Sequence, residues 1–151
     1  MFKTILVPTD GSTVAELAIA PAIEFARSQR ARIIALSVAE PPPSLAVPGA
    51  EFGLSDQNLS DDELLAKARG NLDTLVAAAR EAEVPCTAIV TVSARPHEAI
   101  VHTAQDQRCD LIIMASHGRR GIQRLVMGGQ TEKVLLNSTV PVLVYRPQRP
   151  A

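Results

Sequence analysis

Five short apolar runs, none alternating with polar residues, constrain this chain more than any other feature: Lys3 to Pro8, Arg32 to Val38, Val84 to Val92, Leu111 to Ala115 and Val140 to Tyr145. A run that is apolar at consecutive positions suits a strand covered on both faces, and such strands belong to parallel sheets with helices above and below. The segments between the runs have helical spacing. Thr13 followed by Glu16 has capping-box spacing, and Ala15, Leu17, Ala18, Ala22, Ile23 and Ala26 form a small-residue stripe on a helix ending near Gln29, in which Pro21 should either kink the helix or mark a place where a missing donor is tolerated. Ser60 with Glu63 repeats the spacing before a helix to about Glu83. Pro96 opens a helix carrying Ala99, Ile100, His102, Thr103 and Ala104, and a short helical run covers Thr131 to Leu136. Strands alternating with helices in this way predict an α/β fold, a single doubly wound parallel sheet of about five strands joined by right-handed crossovers.

At 151 residues the chain is long enough for one domain with a sizeable core, and it contains no internal repeat. A formal net charge of −1 and 3% aromatic residues speak against nucleic acid and against a stacking platform for single strands. The apolar runs are broken well short of the ~20 residues of a membrane span. Met1-Phe2-Lys3 leads straight into a strand without the pattern of a signal peptide, so a cytoplasmic location is expected. Cys86 and Cys109 sit at strand edges without C-x-x-C spacing and read as small buried hydrophobes, and three His with two Cys give little material for a metal site. From Ala39 to about Ser60 the periodicity stops among Pro41-Pro42-Pro43, Pro48-Gly49 and Gly53, which leaves a long loop readable either as a lid or as a tolerated insertion.

The stretch with most chemistry runs from Asp110 to Tyr145. Its strand empties into Ser116-His117-Gly118-Arg119-Arg120-Gly121, and the paired glycines Gly128-Gly129 precede the short helix. Free main-chain N–H groups at the positive end of a helix dipole attract anions, so the amides around Gly118 and Gly128 form a candidate phosphate cradle. No G-x-x-x-x-G-K-[ST] occurs, and no G-x-G-x-x-G follows the first strand, which disfavours P-loop and dinucleotide-oxidoreductase readings.

Together these pieces resemble the universal stress protein family over essentially the whole chain. The matching residues are Ile5-Leu6-Val7-Pro8-Thr9-Asp10-Gly11-Ser12, Met114-Ala115-Ser116-His117-Gly118-Arg119, Gly128 ahead of Glu132-Lys133-Val134-Leu135, and Pro141-Val142-Leu143-Val144. The resemblance implies one domain over residues 1–147 with a short tail, strand order 3-2-1-4-5, and a homodimer formed through Val140 to Tyr145. It also implies a role in stress response, with an adenine nucleotide (ATP, ADP or AMP, with or without Mg2+) as a regulatory ligand acting on a protein partner rather than as an enzyme substrate.

The ATP-binding branch of that family carries G-x2-G-x9-G-(S/T), and here the register reads Ala115-x2-Gly118-x9-Gly128-Gly129. Ala115 adds only a methyl group. Gly129 removes a hydroxyl that would donate to a phosphate oxygen, and a hydrogen bond to a charged group is worth ~1.5–3 kcal/mol, which predicts a weakened site. Carried over residue by residue, Pro8, Thr9 and Asp10 form the first-strand edge of the pocket, Val38 and Met114 its apolar walls, and Gly118, Arg119, Gly128, Gly129 and Gln130 surround the phosphates. The other branch does not bind ATP appreciably, and a dimeric protein-interaction module of that kind is the alternative.

Plainer readings stand beside each assignment. The glycines could serve turns alone, Asp10 could satisfy N–H groups at a helix start, and Arg119, Arg120 and Arg124 could form a solvated face. His117 lacks an orienting carboxylate or a nucleophile in its motif, and His97 and His102 lack metal-ligand companions.

Overall fold

The computed structural model describes residues 1–42, 60–117 and 127–148. Its elements are β1 (Thr4–Pro8), α1 (Thr13–Leu17), α2 (Ile19–Gln29), β2 (Arg32–Ala39), α3 (Asp61–Gly70), α4 (Asp73–Glu81), β3 (Cys86–Val92), α5 (Pro96–Asp106), β4 (Leu111–Ala115), α6 (Gly129–Asn137) and β5 (Val142–Tyr145). The strands form one five-stranded parallel sheet in the order β3-β2-β1-β4-β5. Most of the Ala39 to Ser60 loop lies outside the described residues.

Both sheet faces are covered, which is why the central strands carry no polar alternation. Ile5, Val7, Ile33, Ala35, Leu111 and Ile113 face α2 and α4, where Ala22, Ala26, Leu75 and Ala79 pack against them. Leu6, Ile34, Leu36, Ile112 and Met114 face the opposite way, toward Ile100 and Ala104 of α5 and Val134 of α6. Burying a Leu or Ile side chain contributes about 1.5–3 kcal/mol, so these two layers supply most of the drive to fold.

Three of the helix-to-strand turns share one device. After α2, the N–H of Arg30 donates to Arg27 O and that of Ala31 to Ala26 O; Glu83 with Arg80 and Val84 with Ala79 repeat it after α4, and Arg108 with Gln105 and Cys109 with Ala104 after α5. Arg30, Glu83 and Arg108 have φ of 56°, 57° and 52°, the left-handed conformation such a Schellman turn requires. Ala31, Val84 and Cys109 are then buried as each chain enters its strand. Cys109 therefore serves as the small hydrophobe expected, and burial raises its thiol from 9.0 to about 11. Cys86 is half-buried and its thiol is raised as well, again chiefly by burial.

Several boundaries differ from the sequence reading. The first helix does not bend at Pro21 but breaks one turn earlier at Ala18, because the proline cannot donate to the carbonyl of residue 17 and its ring crowds that carbonyl. Its cap is Ser12, whose Oγ accepts from Ala15 N at 3.2 Å, while Glu16 accepts from Thr74 Oγ1 instead of closing a capping box on Thr13. The Ser60–Glu63 capping box forms as expected. The helix it opens divides at Asn71 and Leu72, after Gly70. A glycine weakens the helix there, and Asn71 turns its amide inward toward Ser37 Oγ at 3.4 Å. His102 leaves the apolar stripe of α5 for solvent and lies 3.3 Å from Asp106 one turn on. The third strand starts at Cys86 rather than Val84 and the last at Val142 rather than Val140. Among the described residues, no helix is long and apolar enough to cross a membrane.

Candidate functional site

The strand order reverses between β1 and β4, since the chain proceeds from β1 to β2 on one side and from β4 to β5 on the other. In sheets with such a reversal the connections on its two sides part in opposite directions, and ligands bind in the crevice between them. Register decides which side chains share it. Pro8 lies opposite Leu36, which belongs to the α5 and α6 face, and alternation puts Val38 on the same side, packed against the cluster that contains Met114. Pro8 and Val38 are partly exposed and Met114 is buried, and the three share one side of the sheet toward its carboxyl end.

Thr9 and Asp10 shape the loop after β1. The N–H of Thr9 extends the ladder to Leu36 O at 2.9 Å, Thr9 Oγ1 accepts from Gly11 N at 3.2 Å, and Asp10 Oδ1 accepts from Ser12 N at 2.9 Å. Asp10 thus fills the helix-start role open to it by sequence. Gly11 has φ of 73°, and a Cβ there would overlap the Asn71 carboxamide, so the loop packs against the break between α3 and α4.

The start of α6 is tied to the end of β4 by two hydrogen bonds. Thr131 Oγ1, buried, donates to Ala115 O at 2.9 Å, and the Gly128 N–H donates to Ser116 O at 2.7 Å. Ser116 N continues the ladder to Tyr145 O at 2.9 Å. The Gly128 amide, assigned by sequence to an anion, is therefore bonded within the chain. Among the described residues, no side chain caps this helix, and the donors at its positive end are the first-turn N–H groups of Gly129, Gln130 and Thr131. At Gly129 an added Cβ would meet nothing within 4 Å.

Gln130 does not hold its carboxamide free. Its Oε1 accepts from His97 N at 3.0 Å and so supplies α5 with the cap that its own Arg95 lacks. His117 Nδ1 lies 2.9 Å from Ser116 Oγ, so a hydroxyl rather than a carboxylate is its neighbour there. Among the described residues, the Nε2 of His117 and the Nδ1 of His97 are buried without hydrogen-bond partners. Gly118 and Arg119, with Arg120, Gly121 and Arg124, lie outside the described residues. Sequence reading did not find Ser116, Thr131 and Asn71 as the residues that brace the loops; only the polar side chain of Thr131, two residues after the glycine pair, hinted at it. Among the described residues, no group of three His, Cys, Asp or Glu could hold a metal ion.

Comparison with known proteins places this geometry in a family. Residues 1–146 match the sequence model of the universal stress protein family. Universal stress protein MJ0577 of Methanocaldococcus jannaschii is 30% identical over 97% of this chain and 96% of its own length. Its solved structure superimposes with a TM-score of 0.80 at 27% identity, covering 99% of both chains. A universal stress protein of Thermus aquaticus is 33% identical over 97% of this chain and 100% of its own. The universal stress protein from Archaeoglobus fulgidus, solved in complex with dAMP, shares the fold with a TM-score of 0.66 at 20% identity over 94% of this chain and 96% of that one. With the sheet order, the loop motifs and the sequence match all extending over nearly its whole length, this chain belongs to the universal stress protein family.

Proposed function

We propose that this protein binds an adenine nucleotide in the crevice between β1 and β4 and uses its occupancy as a regulatory signal in stress response. The observation that carries the reading is the start of α6, where three first-turn amides lie at the positive end of the helix with no side-chain cap among the described residues, beside the carboxyl end of β4. Phosphate oxygens accept from these amides, while Pro8, Val38 and Met114 offer the adenine an apolar wall. Asp10 stands at the first-strand edge near the ribose, and Gly118 and Arg119 complete the phosphate side with the main-chain amides of Gly129 and Gln130. ATP, ADP and AMP all present the chemistry that such a site takes, and Mg2+ would accompany the polyphosphates. The dAMP complex of the Archaeoglobus fulgidus protein supports an adenine ligand for this fold. The nucleotide is held rather than consumed, and the protein works in the cytoplasm as a homodimer joined along β5, where Leu143 is exposed, to act on a protein partner.

A second reading has its own support. The Gly128 amide and the Gln130 carboxamide are both engaged within the chain, which fits the branch of the family that acts as a dimeric interaction module without nucleotide. Acid extraction of the freshly purified protein followed by mass spectrometry separates the two. Adenine nucleotide released in proportion to protein, with a thermal shift on adding ATP, ADP or AMP, is expected. An empty extract with no shift from any of the three refutes nucleotide binding and favours the module.

A further inference from the structure

Far from the crevice, β3 forms one edge of the sheet and carries no charge and no proline: Cys86-Thr87-Ala88-Ile89-Val90-Thr91-Val92. Edges of this length are ordinarily blunted by lysine, proline or a bulge, because their unpaired N–H and C=O groups recruit another strand. The ladder shows which groups are available. The Pro85 carbonyl accepts from Ile33 N at 2.7 Å and the Ser93 N–H donates to Ala39 O at 3.0 Å, so the odd-numbered residues of β3 face β2. By alternation the amides and carbonyls of Cys86, Ala88, Val90 and Val92 face outward, and among the described residues no strand pairs with them.

Beside this edge runs a groove of about 600 Å³ between α4 and β3, lined by Arg69, Asp73, Val76, Arg80, Ala88 and Val90 among others. The same alternation aims the side chains of Ala88 and Val90 toward α4, as the packing of Val90 against that layer confirms. Two guanidinium groups against one carboxylate give the groove a net positive charge over an apolar floor. We infer that β3 and this groove form a docking site for an extended acidic peptide segment of a partner protein, which adds as a strand to β3 and sets alternate carboxylate side chains against Arg69 and Arg80. Main-chain hydrogen bonds supply the attachment and the groove supplies the selectivity. A second copy of the chain is the poorer occupant, because its own β3 brings no carboxylate to meet the arginines.

The test uses the full chain and fluorescently labelled synthetic peptides of alternating valine and threonine in which some valines are replaced by glutamate or, in a control, by lysine. The glutamate peptide should bind saturably and about ten-fold or more tighter than the lysine peptide. Exchanging both arginines, R69E with R80E, should reverse that preference. Ala88→Pro removes an outward N–H that the β2 ladder does not use and should abolish binding, with circular dichroism confirming the fold. Should that variant not fold, Val92→Pro serves, since it removes another outward N–H that the β2 ladder does not use. Equal affinity for both peptides, or binding unaffected in folded edge variants, overturns the inference. So does concentration-dependent self-association that Ala88→Pro or Val92→Pro removes, because it assigns the edge to a second copy.

Discussion

The Gly128 N–H donates to the Ser116 carbonyl at 2.7 Å, which joins the first residue ahead of α6 to the first residue after β4. This bond withdraws one amide from any anion, yet it also fixes the helix start over the strand end, so that the next three amides share one direction. A helix start that is rigid before the ligand arrives has less entropy to lose on binding. In the nucleotide-binding reading proposed above, the tie moves the phosphate donors one residue along the chain, from Gly128 to Gly129.

Gly129→Ser should tighten nucleotide binding. An added Cβ meets no neighbour there, and a hydroxyl at the helix start can donate to a phosphate oxygen. A charge-assisted hydrogen bond predicts a roughly ten-fold to hundred-fold fall in Kd. Calorimetric titration with ATP checks it, and an unchanged Kd would mean that the phosphates do not reach residue 129.

Asp110→Ala should destabilise the fold without touching the crevice. The carboxylate accepts from Lys3 N at 2.8 Å and Thr4 N at 3.1 Å, clamping the amino end of β1 to the start of β4. Removing it leaves the part-buried Thr4 amide without that acceptor, at about 1–3 kcal/mol, while the exposed Lys3 amide can turn to water. Urea denaturation should show a lower midpoint at an unchanged slope, while nucleotide affinity of the folded protein stays the same.

Arg30→Gly, Glu83→Gly and Arg108→Gly should each stabilise the protein. All three positions hold left-handed backbone, where a Cβ costs roughly 1 kcal/mol and glycine avoids that cost. Against this works the extra freedom glycine gives the unfolded chain, so a net gain of about 0.5 kcal/mol per site is expected. The three turns are separate, and a triple variant should gain close to the combined amount in thermal unfolding.

Stability should decline in alkali through Cys109. Its folded thiol is raised to about 11, so the folded state keeps its proton after the unfolded thiol, near 9.0, has ionised. A folded state that binds more protons loses stability as pH rises, here between about 9 and 11, whereas below 9 both states are protonated and the thiol has no effect. Cys109→Ala should flatten that part of the stability curve, as chemical denaturation across the range would show.

Much of this architecture was legible in the residues themselves. The apolar runs around Ile5, Ile33 and Ile112 lack polar alternation because both faces are covered, and that pattern alone dictates a parallel sheet with helices on each side. The Ser60–Glu63 cap and the Pro96 helix start were legible for the same reason, since each depends on residues within one turn. The strand order and the crevice were reached through resemblance to a family, not through spacing.

What only the folded chain decided depends on contacts between distant residues. Asn71 breaks a helix because Ser37 and the loop at Gly11 lie beneath it, Gln130 caps a helix that begins more than thirty residues earlier, and Gly128 gives its amide to Ser116. A one-dimensional pattern records which side chains prefer burial or a turn. It does not record which carbonyl will lie within 3 Å of a given amide, because that distance is set by the packing of whole layers, and on it rests which main-chain donors remain for a ligand.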